Sequence, residues 1–179
     1  FEYWVRHDSL YNYITHISTP RSSTGFNAGS NAAGGGVWYV ASLVINAASV
    51  YSTNTWYHIA YVRESGTLTL YVDGVSKGSS ADNTSYSQTT FTIGQRSGEP
   101  FTGYMTEVRL STVARYTAAF SGSLQTSPHT SDSNTILLLQ SSEADGSTTF
   151  SDTVHSGTTY WQLESFDEWD VQFASSPTT

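Results

Sequence analysis

Alternation with a period of two governs most of this chain. In Phe1-Glu2-Tyr3-Trp4-Val5-Arg6, the residues Phe1, Tyr3 and Val5 share one face and Glu2, Trp4 and Arg6 the other. That is the repeat of a β-strand, whose successive side chains point to opposite sides. Leu10 to Ser18 predicts a second strand, with Leu10, Ile14 and His16 opposite Tyr11, Tyr13 and Thr15. Val37 to Asn46 predicts a third, apolar on both sides, as expected of burial on both faces or contact with a neighbour. Trp56 to Arg63 alternates and turns at Glu64-Ser65-Gly66. Thr67 to Val72 alternates back, and Asp73-Gly74 turns the chain into Val75-Ser76-Lys77. Asp-Gly between alternating runs is a strong hairpin signal, because both residues tolerate positive φ. An antiparallel meander follows. Pro20 to Gly36 is Ser, Asn, Ala and Gly with little periodicity, which predicts a long loop of the kind that often carries function. Gly34-Gly35-Gly36 reads as a flexible turn, since no Lys-Ser/Thr follows it to make a phosphate cradle. The best helical candidate is one turn near Val113 to Tyr116.

Composition narrows the class. A length of 179 residues suits one all-β domain and is enough to bury a core without staples. With no Cys, disulfides and thiolate metal sites are excluded. Lys+Arg number 7 against 15 Asp+Glu, and Lys77 is the single lysine. No basic run can track a phosphate backbone, so nucleic acid is not an expected partner. No apolar run reaches the roughly 18 to 20 residues of a membrane helix, so membrane insertion is not expected, and no signal peptide is visible. The wealth of Ser, Thr, Gly and Tyr fits half-buried strands and turns, and is common in extracellular and virion-surface β proteins. The chain starts at Phe1, inside a strand pattern, which points to processing or to a piece of something longer.

Several segments together resemble a known family. Trp56-Tyr57-His58-Ile59-Ala60-Tyr61-Val62-Arg63, Leu70-Tyr71-Val72-Asp73-Gly74, Phe91-Thr92-Ile93-Gly94 and Phe101 to Leu110 follow one another in the order and spacing of laminin-G-like, concanavalin A-like jelly-roll domains. The resemblance implies an all-β, antiparallel two-sheet jelly-roll sandwich over residues 1–133. Ala114-Arg115-Tyr116-Thr117-Ala118-Ala119-Phe120 is similar to a subgroup found in bacteriophage tail, fibre and surface proteins. The family's opening segment is missing before Phe1, yet Asn134 to Gln140 and Asp145 to Asp152 resemble one at the other end. Residues 134–179 are therefore expected to complete this domain, to begin a tandem unit, or to donate a strand to a neighbouring copy.

The residues offer few candidates for chemistry. Glu164 to Asp170 is the carboxylate cluster, but Asp167 and Glu168 are adjacent and would face opposite ways on a strand, unlike the paired acids of jelly-roll glucanases. No catalytic residue is assigned. The histidines at 7, 16, 58, 129 and 155 have no spacing that forces a pair together, so no metal site is predicted from them. His58, at a family strand position, is expected to pack and hydrogen-bond. Arg109 and Arg115 are expected to be architectural. No cofactor is predicted. Calcium is the one ion that lectin-like jelly rolls suggest, and Asp73, Asp82, Asn83, Asp132, Asp145 and Asp152 are loop-borne oxygen donors of suitable hardness without forming a recognisable ligand run. Aromatic side chains can stack on the apolar faces of sugars. Trp4, Trp56 and Tyr71 belong to family core strands and read as structural, which leaves Tyr11, Tyr13, Tyr86 and Tyr104 as glycan-contact candidates.

The resulting expectation is a non-enzymatic β-sandwich of an assembled surface structure, a virion or extracellular filament, whose partners are copies of itself or other structural proteins. A sparse, acidic surface with exposed edges fits assembly. The alternative is a lectin-like module binding cell-surface glycans, with glycoside hydrolysis a distant third.

Overall fold

A computed structural model describes residues 1–140 apart from 12, 21, 41, 88, 89 and 97, together with 149–152, 154, 160–162 and 171–173. The alternating segments become strands, and the meander forms where it was expected. β1 is Glu2–His7, β2 Ile14–Ser18, β3 Asn27–Ser30, β4 Gly36–Val40, β5 Ser42–Ala47, β6 Trp56–Glu64, β7 Thr67–Val72 and β8 Val75–Ala81. β9 is Thr92–Ile93, β10 Gly103–Ser111, β11 Thr135–Leu139, β12 Thr149–Ser151, β13 Tyr160–Gln162 and β14 Val171–Phe173. The first sheet runs β11-β10-β1-β6-β7-β8, with β14 pairing to β10, and the second runs β5-β4-β3-β2-β9. β12 and β13 pair with each other. The architecture is a jelly-roll sandwich, and among the described residues there is no α-helix, only a 3-10 turn at Ser121–Ser123. That turn lies beyond the Val113–Tyr116 segment where one was expected.

Both tight hairpins have the same cause. Ser65 and Gly66 (φ 48° and 76°) join β6 to β7, and Asp73 and Gly74 (φ 48° and 72°) join β7 to β8. Two successive positive φ values give the turn whose twist matches that of the flanking strands. Between the sheets, Tyr3, Val5, Ile17, Ile59, Leu70, Met105 and Leu137 are fully buried. At roughly 1.5–3 kcal/mol for each large apolar side chain removed from water, this interior is the main source of stability.

Two segments differ from expectation. The Pro20–Gly36 stretch contains β3, all four of whose residues are buried. Small residues are required there rather than merely tolerated: a Cβ on Gly29 would lie 1.9 Å from the Ile14 carbonyl oxygen of β2. Strand pairing on both sides overrides poor strand propensity. The Val37–Asn46 run is not one strand but a hairpin, in which Val40 faces Ser42 and Val37 faces Asn46. β4 is mostly buried, and β5 is a sheet edge with Leu43 exposed, which accounts for the loss of clean alternation.

β11 adds to the first sheet through β10, with Leu138 opposite Arg109, and Leu137, Leu138 and Leu139 are buried. Asp145, His155 and the Glu164–Asp170 cluster lie outside the described residues.

Candidate functional site

The outer faces of the two sheets carry different chemistry. On the second sheet, Ala28, Trp38 and Val40 point into the core, so Asn27 and Tyr39, register partners across β3 and β4, point outward together. Beside them the loop from Gly94 to Phe101 folds over β2. It is fixed by Gly94 N–H donating to the His16 carbonyl (2.7 Å), Phe101 N–H to the Gly94 carbonyl (2.7 Å) and Thr15 N–H to the Glu99 carbonyl (3.0 Å). On the other side the 19–26 loop closes on itself, with Phe26 N–H donating to Thr19 Oγ1 at 2.8 Å. Gly25 is needed there, because a Cβ would lie 2.4 Å from the Pro20 carbonyl oxygen.

Between these loops lies an open cavity of about 570 Å³ with Tyr13, Tyr39, Asn27, Arg96 and Glu99 in its lining. Tyr13 is 45% exposed, and its ring meets that of Tyr39 edge-on at 6.0 Å and 78°. Burial and the neighbouring Tyr13 push the Tyr39 hydroxyl up to about 12, so it stays a neutral donor and acceptor. Glu99 Oε2 accepts from Thr15 Oγ1 (3.1 Å) and from Asn27 Nδ2 (3.0 Å), and Arg96 Nη1 lies 3.8 Å away. Asn27 is 5% exposed, and its Oδ1 has no hydrogen-bond partner. The cavity therefore combines aromatic planes with a preset carboxylate, an amide and a guanidinium, a mixture suited to a polyhydroxylated ligand.

The first sheet's outer face is covered instead. Ala114, Tyr116 and Phe120 pack onto Ala60, Val62 and Tyr71, with the Tyr116 and Phe120 rings stacked at 3.7 Å and 11°. Beneath them lies a buried polar cluster. Glu2 Oε1 accepts from Arg109 Nε (2.9 Å) and Nη2 (2.6 Å). Its Oε2 accepts from the Tyr116 hydroxyl (2.6 Å) and lies 3.2 Å from His58 Nε2 and 3.5 Å from His129 Nε2. Burial by itself would raise the Glu2 carboxyl, but hydrogen bonds from His58 and Tyr116 and the charges of His129 and Arg109 outweigh it and hold the group far below the usual carboxylate range. A bulge in β10 makes the pairing: Glu2 faces Arg109 while Trp4 faces Thr106, and Glu107 in between takes φ 55°. Glu107 then accepts from His129 N–H at 2.7 Å and from Gln140 Nε2 at 2.9 Å, which ties down the segment carrying His129.

Of the four tyrosines singled out in the sequence, Tyr13 alone lines the cavity. Tyr11 donates to the Pro100 carbonyl at 3.2 Å and packs on the core. Tyr86 donates to Asp82 at 2.6 Å and meets Trp38 and Phe26 edge-on. Tyr104 stands on the first sheet's outer face under Arg6 (4.7 Å), 6.5 Å from the half-buried Trp56. Trp4 and Tyr71 are buried on that same face, with Trp4 edge-on to His58 at 5.3 Å. Tyr39, Asn27, Arg96 and Glu99 were not found from sequence, because nothing in a Ser/Asn/Gly-rich stretch shows which side of a strand will face a cavity.

Among the described residues, the aspartates put forward for calcium do not gather into one site. Asp73 Oδ1 accepts from His58 N–H (2.8 Å) in its turn, and Asp82 accepts from Thr84 N–H and Tyr86. Asp152 Oδ1 accepts from Leu138 N–H and Val154 N–H, and Asp132 pairs in a fork with Arg115. Asn83 lies against Gly66. The aspartate oxygens named here accept from the chain's own donors, and among the described residues the one group of three or more histidine or carboxylate ligands, Glu2, His58 and His129, includes none of them. The histidines behave contrary to their sequence spacing. His7 and His16 meet in the core with Nε2 atoms 2.7 Å apart, and His58 and His129 meet beside Glu2 with ring centroids 6.3 Å apart.

Comparison with known proteins agrees with this architecture. The family model described as "Concanavalin A-like lectin/glucanases superfamily" (Laminin_G_3) matches residues 1–119. No curated protein matches the chain in sequence. Among solved structures, a protein described as a "putative carbohydrate binding protein" from Bacteroides ovatus superposes with a TM-score of 0.69 at 21% identity. The match covers 97% of this chain and 54% of that one, so this chain spans about half of that protein's length.

Proposed function

The chain belongs to the concanavalin A-like lectin/glucanase superfamily, and from that premise we propose that it is a carbohydrate-binding module whose ligand lies in the Tyr13–Tyr39 cavity. The observation that carries this reading is the convergence of two outward tyrosine rings with Asn27, Arg96 and Glu99 around one open space. Tyr13 would stack on the apolar face of a sugar ring, while Glu99 accepts from ring hydroxyls and Asn27 and Arg96 direct their orientation. The carbohydrate-binding description of the Bacteroides ovatus relative supports the same class of ligand.

Hydrolysis ranks behind binding. An acid and a nucleophile or base require two carboxylates flanking the bond, and among the described residues the cavity lining includes one, Glu99, already engaged by Thr15 and Asn27. A structural role in a virion or filament rests on composition, edge strands and the resemblance of residues 114–120 to a phage subgroup, and glycan binding takes precedence over it.

The test is a glycan-array screen of the whole chain followed by calorimetry on the best ligand. Tyr13→Ala should weaken binding about tenfold, from roughly 1–1.5 kcal/mol of lost stacking. Glu99→Gln should weaken it further, with circular dichroism unchanged. A ligand bound equally well by both variants would remove the cavity from consideration, and release of reducing sugar would replace binding by catalysis.

A further inference from the structure

Beneath the covered face, Glu2, His58 and His129 come from β1, β6 and the segment before β11, positions far apart in sequence. Their ligating atoms all lie within 4.8 Å of one another, and all three side chains are buried. We infer that Glu2 Oε2, His58 Nε2 and His129 Nε2 form a binding site for a zinc-class divalent transition metal. Metal bonds of 2.0–2.2 Å in a tetrahedron place neighbouring ligand atoms about 3.3 Å apart. Glu2 Oε2 lies 3.2 Å from His58 Nε2 and 3.5 Å from His129 Nε2, which is the spacing of two such tetrahedral edges.

A second observation is independent of that spacing. The His129 side chain is 1% exposed, and neither of its ring nitrogens makes a hydrogen bond. A buried polar group left without a partner costs about 1–3 kcal/mol, and such groups in native structures call for an explanation, an ion being one. An ion between the imidazoles and the carboxylate gives His129 the partner it lacks.

The donor set selects the metal. Two imidazoles and one carboxylate suit zinc, cobalt or nickel, whereas calcium and magnesium require oxygen. Arg109 holds Oε1 through two hydrogen bonds, which turns Oε2 toward the histidines. The Tyr116 hydroxyl donates to Oε2 at 2.6 Å and so helps fix the carboxylate's orientation. Two features limit affinity. The Arg109 guanidinium opposes a dication, and the Nδ1 atoms of His58 and His129 have no acceptor to anchor the rings. The site is therefore weaker than one closed by four thiolates. Its effect would be to tie the covering segment, through His129, to β1 and β6.

Chelator-treated full-length chain titrated with cobalt(II) should develop the visible absorption bands of a tetrahedral nitrogen and oxygen site, and zinc should bleach them. At a hundredfold excess over Kd, zinc should raise the thermal unfolding midpoint by at least about 4 °C, with magnesium and calcium inert. His129→Gln, which conserves volume and keeps hydrogen-bonding capacity, should lose both signals. Absence of cobalt bands in the wild-type chain would overturn the site. So would bands and a midpoint shift that persist undiminished in His129→Gln.

Discussion

The two outer faces of the sandwich started from the same strand alternation and reached opposite ends. On the second sheet the outward residues Asn27 and Tyr39 line an open cavity between two loops. On the first sheet the outward residues Glu2, His58 and Arg109 are sealed under Tyr116, Phe120 and the segment carrying His129. Polar groups at the open face can exchange protein partners for ligand or water. A charge at the sealed face has no solvent to turn to and depends on its neighbours, as Glu2 does on Arg109 and Tyr116. The open face is thus free to serve binding, and the sealed one is bound to serve cohesion.

The largest expected consequence concerns the sealed face. Arg109→Ala leaves the Glu2 carboxylate buried without its main counter-charge and should cost about 3–5 kcal/mol of unfolding free energy. Urea denaturation measures it, and a loss below 1 kcal/mol would mean that the cluster is hydrated rather than sealed.

Acid should act on the interior next. Burial pushes His7 down to about 4, and burial together with the charge of His7 pushes His16 well below its ordinary value. In the unfolded chain both protonate near 6.5. Between about 4 and 6.5 the unfolded state holds more protons, so stability is complete above pH 6.5 and falls as pH drops through that window. His7 alone accounts for on the order of 3 kcal/mol. Glu2, whose folded carboxyl lies far below its unfolded value, adds a further loss as pH falls below 4.5. The midpoint in urea should therefore decline from pH 6.5 rather than from 4.5, and a flat profile between 7 and 5 would contradict the buried imidazole pair.

Gly74 sharpens the contrast from the covering side. Its carbonyl accepts Phe120 N–H at 2.8 Å, its φ is 72°, and a Cβ would lie 2.4 Å from Ser121 N. Gly74→Ala should cost about 1–3 kcal/mol and loosen the Tyr116–Phe120 cover, visible as faster hydrogen exchange of the Phe120 amide. Protection equal to the wild type would show that the cover is held elsewhere. The smallest effect belongs to the open face: Tyr13→Ala should change stability by no more than about 0.5 kcal/mol, since nearly half of its surface is already in water. A thermal scan that moved by several degrees would make Tyr13 a structural residue instead of a ligand contact.

By itself the sequence determined the meander and both tight turns, because alternation and the Ser65-Gly66 and Asp73-Gly74 pairs act locally through side-chain direction and allowed φ. It also determined the family, through strand motifs whose order survives along the chain. β3 was hidden, since its small residues are selected by the close approach of the Ile14 carbonyl and not by strand propensity. Only the tertiary structure decided which tyrosine faces a cavity, because that depends on where the 94–101 loop lands over β2. Only it decided that His129 meets His58 across 71 positions and that a bulge at Glu107 carries Arg109 to Glu2. Those are contacts between faces of strands far apart in sequence, and register and packing set them rather than any spacing a linear pattern can hold.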